Sequence, residues 1–183
     1  MIFRLMTVNP IIEKPLVQAW VQGDESLVVG ALKNLRNEAS RQDKELLSMD
    51  VLDILQETQS ARIRDAAAIA LVDLGVRQSV MKIVDVLRRP GFAKSSGTLL
   101  FALNEIQASL PLSVLMQVVV EGSFESRNQA MFFLEEGRFD RVDPSYLKSS
   151  IDRLETLMDA EDPETVEAAD FARQCLLDYS RER

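Results

Sequence analysis

The sequence predicts an all-α chain built from repeated helix pairs, and three observations carry that prediction. Of 183 residues only 7 are Gly and 6 are Pro. That is too few for the tight turns of a β-rich protein, while Ala, Leu, Glu, Gln, Arg and Met, which favour helix, are plentiful. A pattern of small and large apolar residues recurs along the chain: aligning Ala67, Leu99, Ala130 and Ala168 gives steps of 32, 31 and 38 residues, and Val28 marks a weaker copy 39 residues before Ala67. Each copy is followed by a second stretch with apolar residues at helical spacing, so the unit reads helix, turn, helix.

The elements follow in order. Leu16 to Val21, around Trp20, reads as a short helix covering the first unit. The first helices of the units run through Glu25–Leu32, Ala61–Leu74, Phe92–Leu103, Phe124–Leu134 and about Glu164–Ser180; the second helices run at about Lys44–Glu57, Arg77–Arg89, Leu112–Glu121 and Pro144–Met158. Stop and start signals fall between them. Gly75 follows Leu74 as a C-terminal stop, Pro90-Gly91 ends one helix, and Pro111 and Pro144 open two others near the first helical position. Asp162 is set to cap the last helix, with Pro163 in its first turn.

Helical phase separates inner from outer units. Ile63, Ala67, Ala70, Leu71 and Leu74 share one face, yet Ile69 and Val72 lie nearly opposite, as expected of a helix covered on both sides. The last helix is one-sided: Ala168, Ala172, Cys175, Leu176 and Tyr179 face Glu167, Asp170, Gln174, Asp178 and Arg181 across its axis. A capping unit at the end of an array has this character. With 46% hydrophobic and 27% charged residues the composition is that of an ordered globular chain. A single domain is expected, with residues 1–23 as an N-terminal segment and cap and residues 24–183 as the repeat domain.

Composition also excludes chemistry. The sequence has no His, so a Ser-His-Asp triad, a Cys-His dyad and an imidazole metal ligand are absent. The lone Cys175 excludes an intrachain disulfide and a cysteine-held zinc or iron–sulfur site. No Gly-rich phosphate loop, nucleophile elbow or dinucleotide fingerprint occurs. No cofactor or metal is expected. A net charge of −8 argues against a general nucleic-acid binder. The start of the chain, broken by Arg4 and Pro10, lacks the apolar run of a secretory signal, and no stretch is long and apolar enough to span a membrane. A cytoplasmic location is the expectation.

The residues Ile63-Arg64-Asp65-Ala66-Ala67, Ala70-Leu71, Leu74-Gly75 and Asp162-Pro163-Glu164-Thr165-Val166-Glu167-Ala168-Ala169 resemble the short-unit HEAT repeats of the phycobilisome-lyase type. The opening of that family's helix reads roughly Asp-x-x-Pro-x-Val-Arg-x-x-Ala-Ala-x-Ala-Leu. The Ser60 and Phe92 copies lack its Pro, Glu167 stands in for its Arg, and the Leu99 copy lacks its Ala pair. The resemblance spans about residues 24–180. It implies a right-handed α-α superhelix of about four helix pairs plus a capping helix, used as a binding scaffold. Some members act on chromophore-bearing proteins, a few read DNA, and one metal-dependent hydroxylase uses His-Glu motifs, which this chain lacks.

The functional expectation is a non-enzymatic scaffold or adaptor that binds another protein in the groove lined by the second helices. Residues 60–94 carry seven bases and three acids, a local +4, whereas residues 151–183 carry ten acids and four bases. The basic unit suits a partner with an acidic segment. Gln78, Lys82, Asp85 and Arg89, with Asp50 and Asp53 of the preceding unit, are the candidate binding row. Phe132 and Phe133 are adjacent and so point about 100° apart. Burial of both is expected of an interior unit, and an outward Phe132 would mark a contact. The acidic turn Asp159–Glu167 reads as a helix start whose acids meet the positive dipole end. Cys175 reads as a small buried hydrophobe. A lyase-like accessory role and nucleic-acid binding through residues 60–94 are the alternatives.

Overall fold

The computed structural model describes residues 14–38, 43–75 and 80–181, and the side chains of 15–35, 47–75 and 80–181 among them. Its elements are α1 (Lys14–Gln22), α2 (Glu25–Glu38), α3 (Asp43–Glu57), α4 (Ala61–Asp73), α5 (Val80–Leu87), α6 (Gly97–Glu105), α7 (Leu112–Glu121), α8 (Phe124–Glu135), α9 (Pro144–Glu155) and α10 (Pro163–Arg181). The described residues form no β-strand; one isolated parallel bridge joins Leu110 and Phe139. The chain divides into two compact units, Met1–Val86 and Leu87–Arg183.

Local chemistry sets the helix ends. Ser60 and Ser123 accept from the backbone N–H of Ile63 (3.3 Å) and Ser126 (3.4 Å), and so cap α4 and α8. Asp24 does the same for α2 through Ser26 and Leu27, Asp143 for α9 through Ser145, and Asp162 for α10 through Glu164 and Thr165. Gly75 takes φ +74° after α4, a left-handed turn that a Cβ would strain.

Several ends differ from the sequence reading; α2, read through Glu25–Leu32, runs on to Glu38. The Arg77–Arg89 helix appears as α5, ending at Leu87, because the residue before Pro90 is pushed out of helical conformation; residues 76–79 lie outside the described residues. The helix opening at Phe92 begins at Gly97, after a 3-10 turn over Ala93–Ser95 that the Ser96 hydroxyl closes by donating to Ala93 O (2.8 Å). The Pro144–Met158 helix ends at Glu155, where Leu157 and Met158 donate three residues back and the Thr156 hydroxyl donates to Arg153 O. Pro111 is the N-cap of α7, immediately before its first helical residue Leu112, in line with the sequence reading.

In the first unit α4 packs closely on both α2 and α3, and α1 packs on α2. Ile63, Ala67, Ala70, Leu71 and Leu74 are buried as their phase requires, while Ile69 and Val72 on the opposite side are half-buried. In the second unit α8 packs on α6, α7 and α10, and α10 also packs on α9 and α7. The small-residue helices thus approach the next small-residue helix within their unit and the helix that precedes them. Fully buried Ala67, Ala68, Ala130, Ala169 and Ala172 permit that approach, since a methyl group holds two backbones apart far less than a Leu does. The buried and exposed faces of α10 are those its helical phase predicts.

Polar ties join the N-terminal ends of these neighbouring helices. The Glu25 carboxylate on α2 accepts from the Ser60 hydroxyl (2.7 Å) and from Arg62 (3.0 Å) at the start of α4. Ser96 N–H at the start of α6 donates to Ser126 Oγ (3.2 Å) at the start of α8. Arg127 on α8 donates to Val120 O (3.4 Å) and lies 3.6 Å from the Asp162 carboxylate that caps α10.

Candidate functional site

The expected binding row is distributed as follows. Lys82 and Asp85 lie on the exposed side of α5, opposite buried Ile83, Val84, Val86 and Leu87. On α3, Asp53 is exposed and Asp50 half-buried. Arg89 is half-buried just beyond α5, its guanidinium 6.0 Å from the centre of the Phe92 ring. Gln78 lies outside the described residues.

The bases of residues 60–94 do not share one environment. Arg62 pairs with Glu25, and Arg64 is buried in α4, 3.7 Å from Asp65. Burial pushes the Arg64 guanidinium below its usual value, against the attraction of Asp65. Lys82, Arg88 and Lys94 are exposed, and Arg77 lies outside the described residues.

The acidic turn is a helix start. Asp162 caps α10, and the Thr165 hydroxyl, followed by the Glu164 and Thr165 N–H groups, holds its carboxyl below the usual range. No group of three or more Cys, Asp or Glu side chains among the described residues is placed to hold a metal ion. Cys175 is half-buried rather than fully packed. Burial pushes its thiol up, and the nearby carboxylates of Glu135 and Asp178 add to the effect, which opposes thiolate formation.

The aromatic residues of the second unit are arranged differently from expectation. Phe133 is fully buried, but its neighbour Phe132 is 48% exposed. Phe101 on α6 (41%), Phe124 at the start of α8 (60%) and Phe171 on α10 (40%) are exposed as well. Phe101, Phe132 and Phe171 stand on α6, α8 and α10, of which α8 packs on both of the others. Phe101 and Phe171 escaped the sequence reading; the repeat alignment held a signal for Phe101 but not for Phe171, since Asp170 is the residue two places after Ala168. Phe101 follows Leu99 by the same two positions that separate Phe132 from Ala130. The equivalent residue of α4, Ile69, is only half-buried too.

Two shallow grooves run between these helices. One, of about 280 Å³, lies between α6 and α8 and is lined by Phe101, Thr98, Glu125, Asn128 and Gln129. The other, of about 370 Å³, lies between α8 and α10 and includes Phe171, Glu135, Glu136, Gln174, Cys175 and Asp178. Neither groove is lined by a Lys or Arg. Arg138 seals the far end of α8 instead: its guanidinium covers the Phe133 ring at 4.5 Å, bonds Asn104 and pairs with Glu136. Such open grooves suit contact with a surface or segment rather than enclosure of a small molecule. In comparison with known proteins, no family model, no curated protein and no solved structure gives a match to this chain.

Proposed function

We propose that this chain is a non-enzymatic protein-binding scaffold. The observation that carries the reading is the set of exposed Phe101, Phe132 and Phe171 on α6, α8 and α10, with α8 packed on both of the others. Exposed aromatic side chains gathered on one unit mark contact surfaces, and aromatics dominate binding hot spots. Packed helices hold such anchors in place before a partner arrives, which lowers the ordering cost of binding. A HEAT-like right-handed superhelix of about four helix pairs is the architecture that fits this role. Its support is the recurring approach of one small-residue helix to the next within each unit.

A second face belongs to the same reading. Met81, Lys82 and Asp85 are exposed on α5, with exposed Arg88 and Lys94 beyond it, and these bases suit a partner with an acidic segment. Affinity capture from the native host, with mass spectrometry, tests both faces on the full chain. Phe132→Ser with Phe171→Ser removes the aromatic face, and Lys82→Glu with Arg89→Glu reverses the α5 face. The aromatic pair is expected to lose the captured proteins while helicity by circular dichroism stays at the parent level. Capture unchanged by either pair of substitutions rejects the scaffold reading.

A further inference from the structure

We infer that the α6/α8/α10 face docks a protein segment in which Lys or Arg alternates with large apolar side chains. The inference rests on the scaffold reading and adds the chemistry of the partner. Each helix of the face presents exposed phenylalanine with acid further along: Phe101 with Glu105 one turn on, Phe124 beside Glu125 and Phe132 with Glu135 and Glu136 on or just past α8, and Phe171 with Asp178 two turns on. Residues i and i+3 or i+4 are neighbours on a helix surface, so on α6 and at the end of α8 apolar anchor and carboxylate stand side by side, while on α10 Asp178 lies on the same side as Phe171 two turns away. The groove walls repeat this pairing, with Glu125 beside Phe101 and Glu135, Glu136 and Asp178 around Phe171. Ion pairs within the face leave some of these acids for a partner: Arg173 lies by Asp170 and Glu155, Arg181 pairs with Asp178 at 2.9 Å and Arg138 with Glu136, while Glu105, Glu125 and Glu135 are exposed beside the rings.

Charge selects the occupant. Residues 87–183 carry 17 acids and 11 bases. A second copy of the chain laid on this face would set carboxylates against carboxylates, whereas a basic segment would pair with them and seat its apolar side chains against the rings. Neighbouring helices pack about 8–10 Å apart, so the row from α6 to α10 extends over at least about 16–20 Å. A helical segment of roughly 11–13 residues covers that length.

The test uses a fluorescein-labelled synthetic peptide of about three and a half helical turns that sets Lys and Leu side by side on one face, with Gln and Ala elsewhere. Two controls share its length: one with Glu for Lys, one with Ser for Leu. The Lys–Leu peptide is expected to bind the full chain saturably, and neither control to compete. Phe132→Ser with Phe171→Ser, and separately Glu135→Lys with Glu136→Lys, are each expected to weaken binding at least about tenfold, as loss of hot-spot anchors does. Both pairs are exposed, and circular dichroism checks that they fold. Absence of saturable binding, or equal affinity for parent and both variants, overturns the inference. So does a concentration-dependent dimer in sedimentation that Phe132→Ser abolishes, since a second copy then covers the face. Should the peptide fail while host capture stays sensitive to the phenylalanines, the scaffold reading stands and the basic segment falls. If both measurements fail, both readings fall.

Discussion

Ser126 is a small residue on which a junction depends. It is fully buried; its Oγ accepts from Ser96 N–H and from the Ser123 hydroxyl (3.1 Å). Ser126→Ala would leave the Ser96 amide buried without a partner, a loss of about 1–3 kcal/mol. Urea unfolding checks it: the midpoint should fall while the denaturant slope holds. Asp143 and Asp162 give a pH signature. Both carboxyls sit below the usual range, Asp143 chiefly through the Ser145 hydroxyl and Asp162 chiefly through that of Thr165. These bonds favour the ionised form, so their contribution is complete above the unfolded value of about 3.9 and is lost as pH falls through the lower folded values. Against Asp143→Asn with Asp162→Asn, the parent should be the more stable above about pH 5, and the gap should close below about pH 4. The Asp162 cap was legible from Asp-Pro before an apolar period. Those at Ser60, Ser123 and Asp24 carry a similar signature, a capping side chain just before a helical run. The Ser96–Ser126 bond was not legible, because it joins residues 30 apart whose meeting depends on packing.

At the scale of the element, helix spacing follows side-chain size. Ala169 is fully buried on the face α10 turns to its neighbours. Ala169→Leu should cost about 1–3 kcal/mol by overpacking, read as a lowered thermal midpoint, because the backbones have no room to part without breaking other contacts. Gly122 makes a related point. A Cβ there would lie 2.4 Å from Val118 O, so the turn from α7 into α8 admits only glycine without a shift. Bounds of α3, α7 and α8 were legible to within a residue of their ends, since periodicity, Pro111 and the glycine turns agree there. The ends of α5 and α9 were not, because a proline's effect on the residue before it and a local Thr156 bond override the apolar period.

Over the whole molecule, charge argues against one function class. The net charge is −8, and residues 87–183 account for −6 of it. Of the bases in residues 60–94, Arg62 is paired and Arg64 buried. Duplex DNA should therefore show no shift in a gel-retardation series even at low salt. A shift that weakens steeply as salt rises would restore the nucleic-acid alternative.

The sequence by itself determined the helical class, the approximate place of the helices and their apolar faces, because period, caps and turn residues are local properties. The same holds for the exclusion of histidine-dependent chemistry, which needs only composition. Packing decided the partners, setting α3 closely on α4, α7 on α8 and α9 on α10 rather than each first helix on the second helix of its own unit. Tertiary structure decided which outward positions stay uncovered. Phe132 and Phe133 are neighbours of identical chemistry, yet one is core and the other surface. Helical phase fixes the angle between them but not what lies on each side. The packing of α8 on α6, α7 and α10 supplies that information, and with it the aromatic face on which the proposed function rests.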